Sequence, residues 1–132
     1  MKSLIYGYGK TGKSFGRFLE SKKYKFDIFD DNLPKYSKKI DLKKYNQILC
    51  SPGVPKNIFE KIRNINQNVL TDLDIFFQED NSIKIGITGT NRKSTTAFHL
   101  YQLFEKFDPA NLIGNIGNPM LDCINTKKYS II

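Results

Sequence analysis

Two glycine-containing segments carry the residue types that bind phosphate groups. The first, Gly7-Tyr8-Gly9-Lys10-Thr11-Gly12, is a G-x-G-x-x-G pattern that follows a short apolar run and opens a helical pattern. Glycine lets the backbone approach a diphosphate, whose charge is favoured at a helix amino terminus. Asp30 lies 18 residues after Gly12, where a ribose-binding carboxylate belongs. The motif predicts NAD, FAD or another diphosphate ligand, and a purely structural tight turn is the alternative.

The second segment, Gly86 to Thr96, has the composition of a phosphate-binding loop. In such a loop a lysine neutralises the outer phosphates and the next hydroxyl holds magnesium, roles that suit Lys93 and Ser94. The strict pattern has glycine before the lysine, and this chain has Arg92 there. We expect the arginine to weaken nucleotide binding, while a guanidinium contact to phosphate is the alternative. An ordinary helix start capped by Ser or Thr is the structural alternative.

The elements that position both segments alternate between strand and helix, which predicts an α/β chain with parallel sheets. A polar stretch at residues 79–82 predicts a domain boundary. In the last helix, the pattern begins near Ser94 and includes Phe107, and Asp108-Pro109 ends it. The predicted strands are 3–6, 24–29, 47–50, 69–70, 83–88, 112–113 and 129–132, and the other predicted helices begin after residue 12, near 55 and near 72.

Composition narrows the classes of partner. The net charge is +8, but only three of the 21 cations are arginine and the lysines are scattered, so we expect no nucleic-acid surface. No apolar stretch approaches the ~20 residues of a membrane helix, so we expect a cytoplasmic chain without membrane insertion. The chain is expected to be monomeric. Cys50 and Cys123 are predicted to be free thiols, and His99 is predicted to be a helix-surface or partly packed residue.

Four segments together resemble the ATP-dependent Mur ligases of peptidoglycan synthesis. The first glycine segment, continued by Lys13-Ser14, is similar to the family's G-x-G-x-T-G-x-S. The other three are Ser51-Pro52-Gly53-Val54-Pro55, similar to S-P-G-[IV]; Thr88 to Thr95, similar to T-G-[TS]-N-G-K-[ST]-T; and Gly114-Asn115-Ile116-Gly117-Asn118-Pro119, similar to G-N-I-G-x-P. The S-P-G turn combined with the first segment favours the members of the family that add D-glutamate.

The resemblance implies a Rossmann-like parallel-sheet domain at residues 1–80 that binds the UDP part of a sugar nucleotide. It implies the beginning of a P-loop-type ATPase α/β domain at residues 81–132. Without the resemblance, turn capping would explain Ser51 and Asn115 better than substrate binding. The residues that the resemblance assigns to the UDP part are Gly9, Lys10, Thr11, Gly12, Asp30, Asp31, Ser51 and Asn115.

The resemblance further implies ATP and Mg²⁺ as cofactors, with UDP-N-acetylmuramoyl-L-alanine and D-glutamate as substrates joined through an acyl phosphate. Lys93 is the expected catalytic residue, since it would stabilise the transferring phosphoryl group, and Ser94 or Thr95 would share the magnesium ion. The expected ATP-binding residues are Gly89, Thr90, Asn91, Arg92, Lys93, Ser94 and Thr95.

The family pattern continues beyond the apolar run Ser130-Ile131-Ile132, at which this chain stops. A magnesium-binding glutamate, a carbamoylated lysine and the D-glutamate-binding domain would follow, so we expect an active ligase as the full-length parent and an inactive chain alone. One rival is a truncated or degenerate binding-only relative that keeps the UDP-sugar site. Another is an NAD-dependent oxidoreductase domain, which the Ser51-Pro52-Gly53 turn and the second phosphate loop disfavour.

Overall fold

The computed structural model describes all 132 residues, which divide into two compact units, Met1–Ile75 and Phe76–Ile132. Each unit is built on a wholly parallel sheet, so the predicted α/β class is confirmed. The division falls a few residues before the predicted one between residues 80 and 81. Asp80, the last residue before the predicted boundary, bonds to Asn125 and Lys84 of the second unit. The functional roles predicted for the two domains stay predictions.

The first unit contains a four-stranded sheet in the order β2, β1, β3, β4. Helices follow β1, β3 and β4, and two short 3₁₀ turns, Pro34–Tyr36 and Leu42–Lys44, connect β2 to β3. The elements are β1 (Lys2–Tyr6), α1 (Lys10–Ser21), β2 (Lys25–Phe29), β3 (Gln47–Cys50), α2 (Lys56–Ile65), β4 (Val69–Leu70) and α3 (Asp72–Glu79), the last of which contains the division between the units.

The core of the first unit lies on both faces of this sheet. Leu4 and Ile5 are successive residues of β1 and therefore point to opposite faces, yet both are fully buried. Leu4 clusters with Ile48, Cys50 and Ile62 of α2. Strands covered on both faces read as continuous apolar runs, which is why short runs sufficed to predict them.

Helix α1 ends in a left-handed residue. The Lys23 N–H bonds to the Glu20 carbonyl at 2.9 Å and the Tyr24 N–H to the Leu19 carbonyl at 2.9 Å, which is the Schellman pattern of bonds. Lys23 has φ of 58°, a conformation that glycine adopts without strain. The carboxyl end of α1 is therefore well hydrogen-bonded, but it holds a lysine in a backbone conformation that suits glycine better.

The second unit contains a three-stranded sheet in the order β5, β7, β6. Ala97, Ala110 and Ile131 form the buried centre of its core. The elements are β5 (Ile83–Ile85), α4 (Lys93–Phe104), β6 (Ala110–Leu112), the 3₁₀ turn Met120–Cys123 and β7 (Tyr129–Ile131).

Several boundaries of the second unit differ from the prediction. Strand β6 covers Ala110–Leu112 instead of 112–113, and β7 ends at Ile131 instead of Ile132. The larger differences are in β5 and α4. Strand β5 ends at Ile85 instead of Thr88, and α4 ends at Phe104, so that Phe107 lies outside the helix with 80% of its surface exposed. The Lys106 and Phe107 N–H groups bond three residues back in the chain, to Leu103 and Phe104, which closes a tight turn at this point. The apolar character of Phe107 suggested a helix face, but the turn before Pro109 removes it from the helix.

The longest helices have 12 residues, and none has the length and apolar character that a membrane crossing requires. Cys50 and Cys123 are free thiols, as predicted, and both are buried. His99 lies exposed on α4.

Candidate functional site

The first unit has a cavity at the carboxyl edge of its sheet. Strand β1 lies between β2 and β3, so the connections that follow β1 and β3 leave the sheet where the strand order reverses. A crevice forms at such a point, and here it encloses about 520 Å³. Its lining comes from the segments after β1, β2 and β3: Tyr6, Gly7, Tyr8, Gly9, Lys10, Thr11, Asp30, Asp31, Asn32, Ser51, Pro52, Gly53, Val54, Pro55 and Ile58.

The glycine segment forms the loop between β1 and α1. Gly7 has φ of +88°, which favours glycine, and its N–H donates to the Phe29 carbonyl at 2.8 Å. A β-carbon at Gly12 would lie 2.2 Å from the Gly7 carbonyl oxygen, so only glycine lets α1 approach the loop this closely. Two of the three glycines are therefore required by the backbone itself.

Gly9 differs from the other two glycines of the motif. A β-carbon there would meet nothing within 4 Å, and the residue lines the cavity at the amino-terminal cap of α1. The first N–H groups of a helix have no partner within the helix and carry partial positive charge. The site therefore has free space next to anion-binding amides, and Gly9 keeps that space open.

Asp30, at the end of β2, holds the glycine loop with its carboxylate. One oxygen accepts the Tyr8 N–H at 2.7 Å, and the other accepts the Asn32 N–H at 2.9 Å. Its own backbone N–H donates to the Tyr36 carbonyl at 3.1 Å. Both oxygens of the predicted ribose-binding carboxylate thus accept backbone groups of the protein.

Ser51, after β3, holds the same loop from the other side. Its hydroxyl donates to the Gly7 carbonyl at 2.7 Å, and its backbone N–H donates to the Tyr6 carbonyl at 3.0 Å. The Val54 N–H donates back to the Ser51 carbonyl at 3.0 Å, which closes the S-P-G turn. Ser51 therefore both caps the turn and forms part of the cavity wall.

Aromatic residues form part of the wall. The rings of Tyr8 and Tyr36 meet edge to face at 5.3 Å, and those of Tyr6 and Phe29 lie 4.8 Å apart. Burial, together with the charge of Asp31 and the neighbouring Cys50 and Asp30, raises the pKa of the Tyr6 phenol above its ordinary value. Tyr6 therefore stays neutral at physiological pH.

The structure brings most of the predicted UDP-site residues to this cavity. The cavity is lined by six of them: Gly9, Lys10, Thr11, Asp30, Asp31 and Ser51. Gly12 is buried behind the loop, and its role is close packing. Asn115 lies in the second unit, exposed in the loop after β6.

Sequence reasoning missed several residues of the wall. Tyr8 is a variable position of the G-x-G-x-x-G pattern, so the motif gave no signal for it. Asn32 follows Asp30 and Asp31, and only those two acidic residues were predicted to bind the ligand. Val54 and Ile58 were assigned only to a turn and a helix. The S-P-G turn was the available signal, because it predicts that the start of α2 lies near the first loop.

The second glycine segment joins β5 to α4 in the second unit. Residues 88–96 are exposed, and α4 begins at Lys93. The Lys93 ammonium donates to the Gly89 carbonyl, so the lysine folds back over its own loop. Arg92 caps the helix with φ of 58° and ψ of 19°, a left-handed conformation that favours glycine.

The donors of this loop fit a phosphate group. The amino end of the 12-residue helix α4, the Lys93 ammonium and the Ser94 and Thr95 hydroxyls are all groups that bind phosphate oxygens. No group of three or more His, Cys, Asp or Glu residues could hold a metal ion. A magnesium ion here would depend on a hydroxyl such as that of Ser94 together with the phosphates themselves.

No family model matches this chain. It is similar to the UDP-N-acetylmuramoylalanine--D-glutamate ligase of Francisella tularensis subsp. tularensis (strain WY96-3418), at 38% identity over 138 aligned residues. That alignment covers 96% of this chain and 32% of the relative. The enzyme of the same name from Francisella philomiragia subsp. philomiragia is 36% identical over 135 residues, with the same coverage. The chain thus spans about a third of the length of these curated relatives, and the predicted resemblance to the D-glutamate-adding Mur ligases, in their amino-terminal portion, is confirmed.

Proposed function

We propose that this chain supplies the UDP-substrate-binding part and the beginning of the ATP-binding part of a ligase of peptidoglycan synthesis. The ligase would join D-glutamate to UDP-N-acetylmuramoyl-L-alanine. The observation that carries the proposal is the cavity at the β1/β3 switch point, whose wall combines the G-x-G-x-T-G and S-P-G segments. The similarity to ligases of this name supports the choice of substrate.

The UDP part would lie in the cavity of the first unit. Its diphosphate would face the amino end of α1, where Gly9, Lys10 and Thr11 offer backbone N–H groups, a hydroxyl and a positive charge. The uracil would lie towards Asp30 and Asp31, at the end of β2. Ser51 would border the sugar nucleotide from the β3 side, and Asn115, in the second unit, would help to position the substrate.

The second glycine loop would hold ATP through Gly89 to Thr95. Lys93 would leave the Gly89 carbonyl and neutralise the phosphoryl group that is transferred. Ser94, or Thr95 beside it, would share a magnesium ion with the phosphates; when bound, this ion neutralises the charge that develops on the phosphate oxygens.

In the whole ligase, the terminal carboxylate of the L-alanine would receive the outer phosphoryl group of ATP, releasing ADP. The D-glutamate amine would then attack the acyl phosphate, forming the amide and releasing phosphate. This chain's share is to bind and orient the nucleotide substrate and to begin the ATP site. We expect it to be monomeric, cytoplasmic and inactive when expressed alone.

A binding-only relative is the second candidate, and Arg92 favours it. The arginine occupies the position that is glycine in the family pattern, and it adopts the left-handed conformation for which glycine is suited. Its side chain adds bulk to a loop whose backbone should approach phosphate. A chain of this kind would keep the UDP-sugar site and lose ATP-dependent catalysis.

Calorimetric titration of the folded chain tests the proposal, with UDP-N-acetylmuramoyl-L-alanine, NAD and magnesium ATP as separate ligands. Binding of the UDP compound in preference to NAD is the expected result. Weak or absent ATP binding beside it would favour the binding-only relative. Preferential NAD binding would contradict the proposal and return the first loop to the oxidoreductase interpretation.

A further inference from the structure

Asp30 and Ser51 contact the two ends of the same peptide group. The carbonyl of Gly7 and the N–H of Tyr8 belong to one planar unit. The Ser51 hydroxyl donates to that carbonyl at 2.7 Å, and the Asp30 carboxylate accepts that N–H at 2.7 Å. One residue follows β3 and the other follows β2, so the loop between them is held from both neighbouring strands.

We propose that Asp30 and Ser51 are positioning residues that together clamp the Gly7–Tyr8 peptide in one orientation. They would act on a bound diphosphate through this peptide, by holding its N–H and carbonyl in fixed directions. The part of the inference that concerns the ligand rests on the UDP site proposed above. The clamp itself is a property of the loop.

The need for a clamp follows from the backbone of Gly7. At φ of +88°, glycine has several accessible conformations, and rotation of the following peptide would reverse its carbonyl and N–H. The Gly7 carbonyl oxygen lies against α1, where a β-carbon at Gly12 would approach it to 2.2 Å. The reversed peptide would turn a carbonyl towards the Asp30 carboxylate, so the two side chains favour one orientation.

The bonding of Asp30 explains why an acidic residue lies beside a site for an anion. The negative charge of a carboxylate repels a diphosphate, so we assign this carboxylate a role within the protein. Both oxygens of Asp30 accept backbone N–H groups, from Tyr8 and from Asn32. Hydrogen bonds to a charged acceptor are the stronger class, so the carboxylate fixes the loop more firmly than a neutral side chain would.

Two substitutions, Asp30→Asn and Ser51→Ala, test the clamp singly and together. Asparagine keeps one acceptor oxygen but replaces the other with a donor, and alanine keeps the β-carbon of Ser51 while removing its hydroxyl. Matched controls remove the same groups outside the cavity: Asp41→Asn, where the carboxylate accepts the Lys43 N–H, and Ser21→Ala, where the hydroxyl donates to the Phe18 carbonyl.

Two measurements on the full chain are needed: UDP affinity by calorimetry and amide hydrogen exchange by NMR. Each clamp variant is expected to weaken UDP binding by about tenfold, and the double variant by little more than either, because both act on one peptide. Ser51→Ala is also expected to speed exchange at the Tyr8 amide, although Ser51 does not touch that N–H. The two controls should change neither quantity.

Losses of affinity that multiply in the double variant, together with unchanged Tyr8 exchange in Ser51→Ala, would overturn the clamp, since independent ligand contacts behave in that way. Exchange at Leu4 of β1 reports whether a variant is folded. If a variant unfolds, an NMR measurement on the unmodified chain takes its place. We expect a scalar coupling across the hydrogen bond, between the Tyr8 nitrogen and the Asp30 carboxylate carbon. The absence of this coupling would count against the clamp. A chain that shows the exchange effect but no UDP binding would contradict the proposed function and its ligand while leaving the loop-holding role intact.

Discussion

The Gly7 carbonyl oxygen lies so close to α1 that a β-carbon on Gly12 would come within 2.2 Å of it. Non-bonded atoms of a folded protein do not approach each other this closely, so an added β-carbon would force the backbone to shift. The third glycine of the motif therefore lets the first loop and the first helix pack together.

Gly12→Ala is accordingly expected to destabilise the chain by about 2–3 kcal/mol, because the neighbour it meets is backbone that cannot rotate away. Gly53→Ala is the matched control, since a β-carbon there meets nothing within 4 Å. Urea unfolding followed by circular dichroism measures both. Equal stability of the two variants would show that the loop and α1 are not packed as described.

Gly9→Ala is expected to act on binding instead of stability. The new methyl group has room, and the change at the helix cap costs only several tenths of a kcal/mol, about 0.5. It would, however, occupy space beside the helix amides that we assign to the diphosphate. UDP titration should therefore show a loss of affinity of about tenfold or more, equivalent to about 1.4 kcal/mol.

The control for this variant is Gly16→Ala, about two helical turns further along α1. A β-carbon there lies 3.7 Å from the nearest atom, the Tyr8 hydroxyl oxygen, which is an ordinary contact. It should leave UDP affinity unchanged and slightly stabilise the helix. A Gly9→Ala chain that binds UDP as well as the unmodified one would place the diphosphate elsewhere.

The sequence predicts those parts of the site that depend on local signals, and it does not predict those that depend on contacts between distant segments. The strand runs ending at Tyr6 and Cys50 and the loop after each were predictable, because apolar runs and glycine turns are local signals. Asp30 was predictable as a site residue from its spacing. Its bonds to Tyr8 and Asn32 were not, because they depend on how three loops meet in space.

The second unit shows the same limit. The start of α4 was predicted within one residue by the Ser and Thr run, but the end was not, because Phe107 continued the apolar pattern while the chain had already turned at Phe104. The left-handed conformation of Arg92 had no signal of its own in this chain. The glycine that the strict phosphate-loop pattern has at this position indicated that Arg92 is unusual, but not which conformation it adopts.

Arg92→Gly is expected to tighten magnesium ATP binding, because it removes a side chain from a loop whose backbone should approach phosphate. Its effect on stability should be small and favourable, since relief of about 1 kcal/mol of left-handed strain is partly offset by the entropy of glycine in the unfolded chain. Lys23→Gly, at the same φ of 58° in the first unit, is the control for strain alone.

Calorimetric ATP titration and thermal unfolding of the two variants separate the effects. Both should be slightly stabilised, and only Arg92→Gly should change ATP affinity. Unchanged ATP affinity in that variant would contradict the idea that Arg92 weakens the site. A loss of affinity would instead favour a guanidinium contact to phosphate.

Asp80 is expected to make the second unit sensitive to acid. Its fully buried carboxylate accepts the Asn125 N–H at 2.7 Å and the Ser82 N–H at 2.9 Å, and it lies 3.0 Å from the Lys84 ammonium. Burial alone would raise its pKa, but the hydrogen bonds from Ser82, Asn125 and Lys84 outweigh it, so the net pKa lies below the ordinary value.

Because the folded pKa is the lower one, the stabilisation is present above the unfolded pKa of about 3.9 and is lost as the pH falls through the folded value. Asp80→Asn should destabilise the chain by about 3 kcal/mol at pH 7, since it leaves the Lys84 charge without its partner. It should also flatten the acid limb of the stability profile. Asp108→Asn, which removes an exposed carboxylate 3.7 Å from Lys128, should change little.

The central proposal is that the cavity of the first unit binds the UDP part of a sugar nucleotide. Amide NMR of the chain during titration with UDP-N-acetylmuramoyl-L-alanine tests this directly, residue by residue. We expect the largest shifts at Gly9, Lys10 and Thr11 and in the turn from Ser51 to Gly53, with the same residues perturbed by UDP alone. Saturating ligand that leaves these amides unmoved, or that shifts only residues of the second unit, would contradict the account.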